Sequence, residues 1–166
     1  MIESGSNMNH CVVFTLDERF YGLRLSAVVR VVRAVEITPL PQAPLIVIGV
    51  INLGGRIIPV VNIRRRFHLP ERELELSDQF IVVMTRKGNA HEDGGRLLAL
   101  AVDAVVGVRD LSAQAMTTSE TILPGLEHLE GVAKTNEGLV LIHDLNTFLS
   151  LEEERALGAL LSEGKQ

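Results

Sequence analysis

The feature that most limits what this chain can fold into is that it resembles itself. Displaced by 82 positions, GVINLGGRIIPVVNIRRRF (residues 49–67) lies without a gap on GVAKTNEGLVLIHDLNTFL (131–149). Gly49 and Val50 meet Gly131 and Val132, Gly54-Gly55 meets Asn136-Glu137, and Asn62 meets Asp144. Displaced by 77, LSAVVRV (25–31) lies on VDAVVGV (102–108), so Val28, Val29 and Val31 meet Val105, Val106 and Val108. VVFTL and IVVMT supply a first strand to each half. Each half then reads as strand, strand, valine-rich strand, proline-containing loop and hairpin, about five strands in all. Short twisted strands lose their free edges most economically by closing on themselves. The expected fold is therefore mainly β, with two pseudo-repeated five-stranded barrels packed together.

Local signals agree. Apolar residues make up 46% of the chain and aromatics only 4%, and valine fills much of the difference. Valine is stiff at χ1 and suits a pleated surface. SAVVRVVR is ambiguous between a short turn capped by Ser26 and a strand. Gly54-Gly55 supplies the positive φ that a two-residue hairpin loop requires. Pro59 cannot donate to a ladder, which predicts an edge or a bulge for it. IIPVV and LVLI are continuously apolar instead of alternating, so these strands should bury one face in their own barrel and the other against its partner. Residues 64–79 read as a polar linker or a surface crossing, and Arg64 to Arg66 as a local basic run on a solvated strand end or turn. Ser150 with Glu153 makes a capping box, and Leu157, Leu160 and Leu161 form one stripe of a C-terminal helix. The expected boundaries are a disordered segment at 1–10, the barrels at 11–149 and the helix at 150–163. The second barrel takes roughly 78–149, with strand exchange between barrels permitted.

The chain shows no constellation of the kind an enzyme needs. There is no P-loop, GxSxG or HExxH, and the histidines His10, His68, His91, His128 and His143 are scattered. His143 and Asp144 adjoin on a strand, where neighbours face opposite ways. HEDGG (His91, Glu92, Asp93 and two glycines) carries metal-ligating residue types, but in a loop with no second cluster. A small metal-dependent enzyme using these residues is the remote alternative. Asp103 reads as a turn or capping carboxylate. Cys11 is the only cysteine and opens an apolar run, which suits a buried small residue. A net charge of −5 argues against a general nucleic-acid binder. No apolar run is long enough to span a bilayer, and the polar N-terminus lacks a signal-peptide core. No catalytic residue, cofactor or metal is expected, and the surface of a binding module is.

VVFTLDERFYGLRLSAVVRVVR, ITPLPQAPLIVIGVINLGGRIIPVVNIRRRFHLP and LLALAVDAVVGVRDL resemble the CheW-like domain, from about residue 11 to 149. The most specific part is the Pro-x-Pro loop, the Gly-Val-Ile-Asn-Leu hairpin and the strand containing Pro59. The resemblance implies two intertwined SH3-like barrels and a non-enzymatic chemotaxis adaptor in the cytoplasm, associated with membrane receptors through its partners. Those partners would be a chemoreceptor cytoplasmic tip and the regulatory domain of a histidine kinase. It implies neither nucleic-acid binding nor direct membrane insertion. A receptor groove between the barrels would map to Val28, Val31, Gly49, Gly54, Ile81, Ala99 and Val108. The kinase would be met at barrel ends, with no residues assigned.

The sequence departs from the family in two places. Gly54 stands where the hairpin usually carries arginine, and Asn62 where an aspartate usually follows the proline strand. One reading is that the two lost residues formed an ion pair. A diverged paralogue that binds the kinase but couples poorly to standard receptors is the corresponding alternative function.

Overall fold

The computed structural model describes residues 10–85, 95–111, 116–118 and 129–164. Eleven strands lie in two sheets: β1 (His10–Leu16), β2 (Arg19–Arg24), β3 (Val28–Arg33), β4 (Val47–Leu53), β5 (Arg56–Val61), β6 (Gln79–Thr85), β7 (Arg96–Val102), β8 (Ala104–Asp110), β9 (Met116–Thr118), β10 (Leu129–Thr135) and β11 (Gly138–His143). One sheet runs β3-β6-β7-β5-β4 and the other β8-β1-β2-β11-β10-β9. The described residues also hold the one-turn helix α1 (Ile63–Arg66) and the helix α2 (Leu151–Gly164).

The duplication is visible in the register. β4 and β5 coincide with β10 and β11 at the 82-residue displacement, and β2 coincides with the first six residues of β7 at 77. Irregularities repeat as well. Pairing skips Val29 between β3 and β6 and Val106 between β8 and β1. It skips one residue after Val47 in β4 and one after Leu129 in β10. Asn62 and Asp144 repeat too, each accepting a backbone N–H of the helical turn that follows it.

The barrels are not the sequence halves. β6 and β7 from the second half complete the sheet of β3, β4 and β5, while β1 and β2 complete the sheet of β8 to β11. Strands from each sequence half therefore complete the sheet of the other. The operation that carries the first half onto the second sends each barrel onto the other, so it is a pseudo-twofold rotation. One sheet has five strands as expected. The other gains the three-residue β9, whose counterpart is Thr38, bridged to Val50 by two backbone hydrogen bonds of 2.8 and 2.9 Å.

Alternation along each strand feeds two cores. Phe80 and Val82 of β6 pack inside one barrel with Val60 and Ala99, while Ile81 and Val83 point to a core shared by both sheets. Cys11 and Val13 pack inside the other barrel, and Val12, Phe14 and Leu16 join the shared core. In IIPVV, Ile58 and Val60 face inward and Val61 faces the shared core, as expected for a strand wet on neither face. Each such fully buried side chain contributes about 1.5–3 kcal/mol. Ile57 and Leu139, related by the duplication, are the exposed exceptions.

Several local expectations are corrected. Pro59 lies on β5, an interior strand, and at no bulge. It faces Val50, whose N–H and C=O both bond to Thr38, so the Val50–Pro59 pair exchanges no hydrogen bonds. The missing donor points the other way, just outside the two-residue ladder to β7. Ser26 caps nothing and lies inside a 3₁₀ turn, Leu25–Ala27. His10 belongs to β1, and residues 1–9 lie outside the described residues. Ser150 and Glu153 do form a reciprocal capping box (2.8 and 3.1 Å), and Leu157 of α2 is buried in the shared core.

Candidate functional site

Among the described residues β3 and β8 each pair on one side only, β3 with β6 and β8 with β1. The bulge at Val29 sets the facing of β3. Val28 pairs with Val83 and Val31 with Ile81, both members of the shared core. Without the extra residue, positions three apart would face opposite ways. The bulge at Val106 does the same for β8, placing Val105 opposite Phe14 and Val108 opposite Val12. Val28 and Val105 pack against the shared core, while Val31 and Val108 remain 37% and 48% exposed. Two valine ledges, one from each barrel, thus flank the junction. Val105 was missed by the sequence reading, although the 77-residue displacement pairs it with Val28.

The other residues assigned to the groove fall elsewhere. Ile81 and Ala99 have no exposed surface, Ile81 in the shared core and Ala99 inside a barrel, so they shape the strands around them without offering a side chain. Gly49 has a structural duty, because a Cβ there would collide with the Thr38 carbonyl oxygen and block the bridge that closes the barrel. Gly54 lies at the tip of the β4–β5 hairpin with φ +61°, followed by Gly55 at +87°, and a Cβ at 54 would meet nothing. Asn52 steadies the turn by accepting the Gly55 N–H at 3.0 Å.

The suggested ion pair between positions 54 and 62 is excluded by β5. Position 54 precedes this six-residue strand and position 62 follows it, a separation of roughly 25 Å at strand rise. Asn62 instead caps α1 through the Arg65 N–H and bonds Glu71. Capping is open to aspartate and asparagine alike, so no charged partner is required.

The basic run is also corrected. Arg64 is buried, and its guanidinium reaches Asp17 and Asp103 at 2.8 Å each. Arg72 joins Asp103 to Asp78. Arg65 pairs with Glu71, and Arg66 with Glu153 of α2. Asp103 also accepts the Asp17 N–H, which steadies a β1–β2 turn whose two residues, Asp17 and Glu18, both have positive φ. Burial opposes ionisation of Asp103, but the bonds from Arg64, the Asp17 N–H and Arg72 outweigh it and hold the carboxyl below its usual range. The segment read as a linker is therefore a clamp between the β1–β2 turn, α1 and the β7–β8 corner. A cleft of about 270 Å³ opens beside it, lined by Ile48, Asn62, Leu74 and these paired charges.

Residues considered for chemistry have other occupations. His143 stacks on Phe67 with ring centroids 4.1 Å apart, and Tyr21 and Phe148 complete an aromatic cluster. Asp144 caps the turn that follows it. Cys11 is buried, and that burial pushes its thiol up to about 11. His91, Glu92 and Asp93 lie outside the described residues. Among the described residues no group of three or more His, Cys, Asp or Glu is placed to hold a metal, and no helix is long and apolar enough to cross a membrane.

Comparison with known proteins gives a consistent result. A family model described as the CheW-like domain matches residues 10–153. A chemotaxis protein CheW of Treponema pallidum is 27% identical over 154 residues, covering 90% of this chain and 86% of that protein. Its namesake in Thermotoga maritima is 25% identical over 136 residues, covering 82% and 84%. The crystal structure of the scaffolding protein TtCheW from Thermoanaerobacter tengcongensis superposes with a TM-score of 0.74 at 30% identity, covering 87% of this chain and 94% of that one.

Proposed function

Because the chain belongs to the CheW-like domain family, we propose that it is a non-enzymatic chemotaxis adaptor, joining a chemoreceptor's cytoplasmic tip to the regulatory domain of a histidine kinase. The observation that carries this reading is the pair of exposed valine ledges on β3 and β8, flanking a junction whose interior is already filled. Contiguous apolar surface on a soluble protein marks an interaction site. A helical tip would dock there by burying Val31 and Val108, with Val28 and Val105 as the floor. Gly49, Gly54, Ile81 and Ala99 contribute through backbone shape, since none offers the partner an exposed side chain of any size. The kinase domain docks at a barrel end, beside the β4–β5 hairpin tip where Ile57 is exposed. The adaptor acts at receptor arrays on the cytoplasmic face, held to the membrane by its partners. Coupling between receptor and kinase then arises from different affinities of the adaptor in the two signalling states.

The test is to measure binding of a receptor signalling fragment and of the kinase regulatory domain separately. Val31→Asp should weaken the first at least tenfold and leave the second intact, while Ile57→Asp should do the reverse. Loss of neither interaction in either variant sinks the proposal. Gly54 carries the second reading, a paralogue that engages the kinase but couples weakly to standard receptors. Restored kinase activation in Gly54→Arg supports it, and unchanged activation removes the missing arginine as the cause.

A further inference from the structure

The groove's two walls match position for position under the pseudo-twofold rotation: Val28 with Val105, Val31 with Val108. An apolar helix laid across such a groove meets the same contacts after a half turn. Valines alone therefore cannot set its direction.

The match fails at one pair of positions on the groove face. Arg33 ends β3 and Asp110 ends β8, and the same 77-residue displacement relates them. Each stands two residues beyond its exposed valine, hence on the same face of its strand. Arg33 is exposed and has no ion-pair partner among the described residues. Asp110 is 57% exposed at its side chain, with His10 Nε2 at 4.0 Å. Gln79, opposite Arg33 in the register, accepts the Val105 N–H at 2.8 Å. This bond ties the end of one ledge to the start of the other. The groove is thus symmetric in its valines and antisymmetric in its charge.

We propose that Arg33 and Asp110 set the direction in which a helical partner lies, with its carboxylate-bearing end at Arg33 and its cationic end at Asp110. The proposal rests on the groove reading above. Reversing the partner would turn two attractive contacts into two repulsive ones. Exposed charge pairs are individually weak, so the preference for one direction is about tenfold at low ionic strength and shrinks as salt rises. Steering and register are the usual contributions of such charges to an interface whose affinity is mainly apolar.

The test uses the full ¹⁵N-labelled chain and a synthetic amphipathic helical peptide. The peptide has a leucine and valine stripe, glutamates at its N-terminal end, lysines at its C-terminal end and a nitroxide on its N-terminus. Bound to the unaltered chain at low salt, the label should broaden backbone amide signals around Arg33 more than those around Asp110. In the double variant Arg33→Asp/Asp110→Arg the broadening should move to the β8 side. Equal broadening of the two walls, or broadening that stays in place after the exchange, overturns the proposal. Val31→Asp serves as the separate arm. If it abolishes peptide binding while the charge exchange moves nothing, the groove stands and the direction setting falls. If the peptide binds Val31→Asp as well as the unaltered chain, the groove reading falls and takes the proposal with it.

Discussion

Asp103 was read from sequence as a turn carboxylate, and it does hold a turn, but through the Asp17 N–H on another strand pair and together with two arginines. Nothing in LLALAVDAVV announces Arg64, because the two residues meet only after the barrels exchange strands. Asp103→Asn should cost about 2–3 kcal/mol in urea unfolding at neutral pH, less than breaking a fully buried pair because Asp17 still serves Arg64. The pH dependence has a definite sign. The folded pKa of Asp103 lies below its ordinary value, so the stabilisation is complete above about pH 4 and is lost as pH falls through the folded pKa. Unfolding midpoints of wild type and variant should therefore converge in acid. A gap that stays constant from pH 7 down to pH 2 would show that Asp103 contributes through shape and not charge. Position 54 teaches a different lesson. The glycine at the hairpin tip was legible, since a two-residue turn between apolar strands demands positive φ. Its imagined ion pair with position 62 was not testable from sequence, because a strand's length separates residues that look close in the alignment.

At the scale of elements, the duplication was the most informative signal, and it predicted strand boundaries because each half constrains the other. Bulges were invisible, since an extra residue leaves a valine run looking like any other valine run. Yet the bulges at Val29 and Val106 decide which valines face the junction, and so why Val105 belongs to the site. Pro59 was misplaced for a related reason. Proline is excluded only where a donor is needed, and the ladder to β7 begins one residue later. Gly49 is the element-scale residue with the clearest consequence. Gly49→Ala would drive a Cβ into the Thr38 carbonyl, and the crossing strand would have to shift. A loss of about 1–3 kcal/mol is expected, read as a lower urea midpoint. Unaltered stability would mean that the Thr38–Val50 bridge is dispensable.

For the whole molecule, strand exchange makes the two halves mutually dependent. Residues 1–77 lack β6 and β7, which fill the middle of the sheet that β3, β4 and β5 would build. Residues 78–166 lack β1 and β2, which lie between β8 and β11. Expressed separately, each fragment should show no cooperative thermal transition, and an equimolar mixture should regain one. A cooperative transition in either fragment alone would contradict the interlocked architecture. Sequence reading reached two barrels because periodic burial and repetition are local signals. It did not assign strands to barrels, because that depends on pairings between segments far apart in the chain.

The same architecture brings one valine ledge from each barrel to a single junction. The most direct test is the dissociation constant of a soluble receptor signalling fragment, measured by calorimetry for the unaltered chain, Val31→Asp and Val108→Asp, with melting temperatures recorded alongside. Both valines are partly exposed, so both variants should melt within a few degrees of the unaltered chain. Each is predicted to bind at least tenfold more weakly, and by similar factors, because the pseudo-twofold makes the two positions equivalent. Full-strength binding by either folded variant would contradict a groove shared between the barrels.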